Sequence, residues 1–187
     1  CLAILQAKSG VKTGMYWLDP DGAGPASKYK AWCDMSFAGG GWTLVMKLNG
    51  QKTTFSYTAA LWTNTATYNP GSADLALSEA KLASFWSVPF SAMRLGMRVG
   101  GQTKWITVPF KASNLRSALV SGKPKATKVG RDTWKSLIPY SSLQKNCNQE
   151  GFNVGQITSR VRIGIVGNGE KDCKTPDSRL GFGGAGG

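Results

Sequence analysis

The amino-acid sequence predicts an α+β fold in which the helices are short. Three observations lead there. Two stretches, Lys30–Met35 and Arg160–Val166, alternate apolar and polar residues with the period of a strand. Others, such as Ser78–Trp86, carry helix formers with apolar residues on one face. The 24 glycines favour turns and loops over long helices.

The elements follow in order. Gly14–Leu18 is an apolar, aromatic strand, and Asp19-Pro20-Asp21-Gly22 is a turn by composition. In Lys30–Met35, Ala31, Cys33 and Met35 share one face, with Trp32 and Asp34 on the other. Gly39-Gly40-Gly41 leads into Trp42–Leu48, a short apolar run that reads as a central, two-sided strand. Residues 51–72, rich in Thr, Asn, Tyr and Trp, read as a long ordered loop. Ser78 caps a helix through Trp86, and Pro89 stops it. Met93–Val99 and Lys104–Val108 form a hairpin through Gly100-Gly101. Short helices run from Ser113 to Val120 and from Asp132 to Ile138. In Arg160–Val166, Val161, Ile163 and Ile165 face one way, Arg160 and Arg162 the other. The glycine tail, Gly181–Gly187, is either a flexible end or a tight passage through the core.

At 187 residues the chain is one domain, long enough to bury its own core. No run approaches the ~18 apolar residues of a membrane span, so no membrane insertion is expected. With no initiator Met and no signal-like segment, the chain reads as a mature or excised piece of something longer. It contains no histidine, which removes Ser-His-Asp and Cys-His catalysis and the histidine-bearing zinc sites. Only ten acids are present; a pair among Asp132, Glu150, Glu170, Asp172 and Asp177 is the one route left to glycoside hydrolysis. The expected protein is not an enzyme.

Charge is lopsided, with 23 Lys and Arg against 10 acids and a net charge of +13. Lys111–Lys145 alone holds eight cations and one acid, Asp132. Such a region meets nucleic acid, an anionic glycan or an anionic membrane surface, or serves as a solvated, self-repelling surface. No nucleic-acid motif accompanies it, so no nucleic-acid partner is expected.

The four cysteines, Cys1, Cys33, Cys147 and Cys173, suggest two disulfides in an oxidising compartment. Of three connectivities, Cys1–Cys33 with Cys147–Cys173 joins sequence neighbours, each bridge contributing roughly 3–4 kcal/mol on the chain-entropy account. The rivals are reduced, buried thiols and a lipidated Cys1.

Residues 1–48 resemble a fibrinogen-like (fibrinogen-related) domain. The likeness lies in Cys1, in Gly14-Met15-Tyr16-Trp17-Leu18-Asp19-Pro20, in Trp32-Cys33-Asp34-Met35, and in Gly39-Gly40-Gly41-Trp42-Thr43-Leu44-Val45. Met93-Arg94-Leu95-Gly96-Met97 and Asn146-Cys147-Asn148 add to it. The Gly-Gly-Gly-Trp-Thr-Leu-Val form and the amides around Cys147 are similar to the intelectin branch and to bacterial fibrinogen-like tips of adhesive fibres. The resemblance implies a secreted or cell-surface fold with paired first cysteines. It also implies an N-terminal antiparallel sheet and a loop-rich C-terminal subdomain that carries ligand and calcium. On that plan residues 1–50 are the disulfide-closed N-terminal part, and 51–187 hold the sheet and ligand-binding loops. The family's acidic calcium run upstream of its third cysteine is missing, since residues 130–146 offer only Asp132.

Three groups carry the candidate chemistry. Asn168, Glu170, Asp172 and Asp177 offer oxygens at alternating positions and are the candidate Ca2+ set. In the alternative, Asp177 pairs with Arg179 or Lys174 and no ion binds. Trp17, Trp62, Tyr68, Trp86, Trp105, Trp134 and Tyr140 could stack on sugar rings; Trp62 and Tyr68, in the long loop, are the most site-like, whereas Trp42, Trp86 and Trp105 belong to regular elements and are assigned to the core. Asn146, Asn148, Gln149, Glu150 and Asn153 form an amide-rich loop beside a disulfide and are the candidate ligand contacts. Together these features predict a non-catalytic lectin or adhesin head for extracellular glycans. The ligand would be an acetylated or anionic sugar, and avidity would come from a homotrimer on a stalk N-terminal to Cys1. The alternative is a protein-recognition module docking an acidic partner through its basic face.

Overall fold

The computed structural model describes residues 1–22, 24 and 27–186. Ala23, Pro25, Ala26 and Gly187, the last residue of the glycine tail, lie outside them. The fold corrects the expected α+β class with its loop-rich C-terminal subdomain. Among the described residues, eleven antiparallel strands hold 38% of the chain and helices 14%. No α-helix exceeds six residues, too short to be stable without packing, so β pairing organises the chain. The chain divides into two compact units: Cys1–Gln51 with Asn64–Val88, and Lys52–Thr63 with Pro89–Gly187.

The first unit opens with helix α1 (Leu2–Ala7). Strands β1 (Gly14–Leu18), β2 (Tyr29–Asp34) and β3 (Trp42–Thr43) then form an antiparallel sheet in that order. The alternation in β2 holds: Ala31, Cys33 and Met35 are buried with Leu18, Ala73, Ala80 and Leu82. The disulfide Cys1–Cys33, with Cα atoms 5.4 Å apart, fastens the N-terminus to this core. The expected central strand Trp42–Leu48 is instead two short pieces, β3 at a sheet edge and β4 (Met46–Lys47), none of it fully buried. The expected helix from Ser78 is also displaced. Its first half is strand β5 (Ala80–Lys81), paired with β4 and bridged to Tyr68, and helix α2 spans only Ser84–Ser87.

In the second unit, β6 (Phe90–Val99) and β7 (Gln102–Ala112) form a two-stranded ribbon through Gly100-Gly101. Helix α3 (Leu115–Leu119) is capped by Asn114, whose side-chain oxygen accepts from the Ser117 N–H at 2.8 Å, in place of the expected Ser113. Strand β8 (Lys125–Ala126) and helix α4 (Arg131–Lys135) lead to three long strands: β9 (Asn146–Gly155), β10 (Ser159–Asn168) and β11 (Ser178–Gly186). The sheet order is β11-β10-β9-β8. Val161, Ile163 and Ile165 are buried as expected, but so is Val166 on the opposite face, since β10 is central. The glycine tail is β11. At Gly183, where φ is +65°, a Cβ would lie 2.5 Å from the Trp62 ring, so glycine there makes room for that side chain. The ring contact Phe110–Phe152, 4.6 Å between centroids, packs the ribbon on β9.

Both disulfides form with the expected connectivity; Cys147–Cys173 has Cα atoms 5.0 Å apart, and no described cysteine is free. This overturns the reduced-thiol and lipidated-Cys1 alternatives. Two disulfides are the mark of an oxidising compartment. Among the described residues, no helix is long and apolar enough to cross a membrane.

Candidate functional site

The amide-rich stretch is not a loop but strand β9, so its side chains alternate between faces. The Asn146 side chain donates to the Gly169 carbonyl at 2.5 Å. That of Asn148 donates to the Gln144 carbonyl at 3.0 Å. Both amides therefore tie the strand to neighbouring backbone beside the Cys147–Cys173 bridge. Gln149 lies opposite Val166 in the ladder, half-buried. Glu150 accepts the Gly130 N–H at 3.1 Å through one oxygen and the Trp134 indole N–H through the other. Its carboxylate thus fastens α4, and Trp134 is fully buried there.

Asn153 is buried. Its amide donates to the Leu119 carbonyl at 3.0 Å, and its oxygen accepts from Arg162 Nη1 at 2.8 Å. Arg162 also donates to the Tyr57 carbonyl at 2.7 Å, and burial holds its pKa below the ordinary arginine value. As a ligand contact Asn153 is corrected: it is a core polar residue, fully employed.

The 168–177 segment is a loop held by its own polar groups. The Asn168 amide, buried, donates to the Asp172 and Thr175 carbonyls at 2.7 and 3.0 Å. Asp172 accepts from the Lys174 N–H at 2.9 Å and the Thr175 hydroxyl at 2.7 Å, and these bonds hold its carboxyl below the usual aspartate pKa. Glu170 is exposed, and Asp177 gives its backbone N–H to the Gly167 carbonyl at 3.2 Å. Among the described residues, no three acids, cysteines or histidines gather in a metal-binding group. Asp172 and Asn168 thus give polar atoms to holding the loop itself.

The loop ring Trp62 is in the core, and of the three rings assigned to the core Trp105 is exposed while Trp42 and Trp86 are half-buried. Trp62 is fully buried; its indole N–H donates to the Phe55 and Ser56 carbonyls at 3.2 and 3.0 Å, and its ring meets Phe55 edge-on. It has no face open to a sugar. Tyr68 is half-buried, its backbone bridged to Lys81, and it belongs to the other unit. The most exposed rings are Tyr140, Trp17 and Trp105. Trp17 on β1 is 62% exposed with Lys30 Nζ 5.1 Å from its ring centroid. Trp105 on β7 is 44% exposed with the Arg94 guanidinium 4.4 Å from its centroid. Residue types alone do not separate buried from open rings; the register of the Gly100-Gly101 hairpin does, because it sets Gly96 opposite Trp105.

Comparison with known family models and with curated proteins finds no match to this chain.

Proposed function

We propose that the protein is a secreted, non-catalytic recognition module for glycans. One observation carries this reading: Trp17 and Trp105, one in each unit, stand on strands with much of each ring open to solvent and a cation set against it. An open indole matches the C–H face of a pyranose, and neighbouring donors take its hydroxyl or anionic oxygens. The disulfides suit an extracellular setting. The resemblance of residues 1–48 to fibrinogen-related recognition domains points the same way. Single sugar sites of this shallow kind are weak, so oligomerisation is expected to supply avidity.

The test is a glycan array probed with the disulfide-intact chain, with calcium and with chelator, at two salt concentrations. Selective sugar binding that survives chelation is the expected result. Salt-sensitive capture of acidic proteins with no glycan bound would replace this reading with a protein-docking one.

A further inference from the structure

We propose that the outer face of the β6–β7 ribbon is the binding site for an anionic pyranose, a uronate or a sulfated sugar; this rests on the glycan reading and gives it a place. In an antiparallel pair, residues directly opposite share a face. The register puts Arg94 opposite Thr107, Gly96 opposite Trp105 and Arg98 opposite Thr103. These six make one face. The other face, with Met93 opposite Val108 and Leu95 opposite Ile106, has Met93, Ile106 and Val108 buried. The ribbon is therefore anchored on one side and open on the other.

The open side is built around Trp105. A Cβ at position 96 would lie 2.5 Å from Cζ3 of its ring, so the indole leans across onto the neighbouring strand where only glycine lets it lie. Arg94 stacks against the ring, yet 44% of Trp105 remains exposed. A ring held in a defined place with this much of it open offers a stacking surface.

Charge sets the chemical class. Residues 90–112 carry Arg94, Arg98, Lys104 and Lys111 and no acid, and no acid lies between Glu79 and Asp132. Arg94 and Arg98 are four residues apart, about 13 Å along the strand, one on either side of the Gly96–Trp105 pair. A sugar on the open part of Trp105 thus lies beside the Arg94 guanidinium stacked on the ring, with Arg98 on the same face, groups whose paired N–H donors fit carboxylate and sulfate. The hydroxyls of Thr103 and Thr107 flank the same position. One ring provides one stacking position, whereas single-stranded nucleic acid is held by successive aromatic platforms.

Calorimetry on the full, disulfide-intact chain tests this with three probes: a galacturonate hexasaccharide, a sulfated galactan hexasaccharide and a neutral galactan of equal length. The expected result is binding of an anionic probe at least tenfold tighter than the neutral one. Trp105→Ala and Gly96→Ala, the latter expelling the ring without removing it, should each weaken binding tenfold or more. Arg98→Gln should weaken it and flatten its salt dependence. Lys104→Gln makes the same charge change on the other face and should alter affinity less than twofold. Arg98 is exposed, so its variant reports even where a ring variant fails to fold. Anionic binding unchanged in Trp105→Ala and Arg98→Gln, or abolished only by Trp17→Ala, overturns this site and leaves the glycan reading standing. Tighter binding of an oligothymidylate than of either anionic sugar also overturns it. No binding of any sugar overturns both.

Discussion

The Lys81 side chain, fully buried in the first unit, donates from Nζ to the backbone and side-chain oxygens of Asn64, at 2.9 and 2.8 Å. The rings of Phe85 and Trp86 lie 4.6 and 5.4 Å from the same nitrogen. A buried cation tolerates its loss of water only through such contacts. Asn64→Ala should therefore cost about 1.5–3 kcal/mol, the range for a hydrogen bond to a charged group. Guanidinium unfolding with an unchanged m-value would show it; an unchanged midpoint would mean that the side-chain contact contributes nothing.

Each disulfide closes a loop within one unit: Cys1–Cys33 spans 32 residues and Cys147–Cys173 spans 26. Replacing Cys147 and Cys173 together by serine should cost about 3.5 kcal/mol on the chain-entropy account. Hydrogen exchange should place the lost protection in β9, β10 and the 168–177 loop, with β1 and β2 unaffected. Equal loss in β1 and β2 would show that the two units open together.

Some strands were legible in the sequence, for a physical reason, whereas β9 read as a loop and Trp42–Leu48 as a single strand. A period of two survives in Lys30–Met35 because Ala31, Cys33 and Met35 are buried while Lys30, Trp32 and Asp34 are not. The short helices at Ser113–Val120 and Asp132–Ile138 were legible as α3 and α4, but the one from Ser78 was not, since Ala80 and Lys81 have helix-forming side chains but are claimed by backbone pairing with β4 and Tyr68. The site was legible only through register. Loop composition drew attention to Trp62, which Gly183 admits to the core, and away from Trp105, which Gly96 holds at the surface. Asn153 and Glu150 were marked by their polarity, which the fold spends on Arg162 and on α4.

Those two tryptophans should behave oppositely on truncation. Trp62→Ala empties a fully enclosed site and should cost about 3–5 kcal/mol. Trp105→Ala, at an exposed position, should change stability by no more than about 0.5–1 kcal/mol. Thermal denaturation of both variants decides this. A large loss in Trp105→Ala would give that ring a structural role.

Asp172 predicts a local response to acid. Its folded pKa lies below the ordinary aspartate value of 3.8 because the Lys174 N–H and the Thr175 hydroxyl favour the charged form. A depressed folded pKa gives stability that is present above the unfolded value and lost as pH falls through the folded one. The Lys174 amide resonance should titrate with a midpoint below 3.8, and Asp172→Asn should abolish that titration. A midpoint at or above 3.8 would show that the two bonds do not favour the carboxylate.

Glu150 separates a structural role from a ligand role most directly. Both of its oxygens accept N–H groups of the α4 region, from Gly130 and from the Trp134 indole. Glu150→Gln keeps the size of the side chain but replaces one acceptor by a donor, so one of those N–H groups meets another N–H. The expected cost is about 1.5–3 kcal/mol, with a change in the near-ultraviolet signal of the buried Trp134. Affinity for the anionic hexasaccharides should stay within twofold of the parent, because the charge removed already serves the fold. The opposite pattern, unchanged stability with weakened sugar binding, would return Glu150 to the ligand contacts that its place in an amide-rich stretch first suggested.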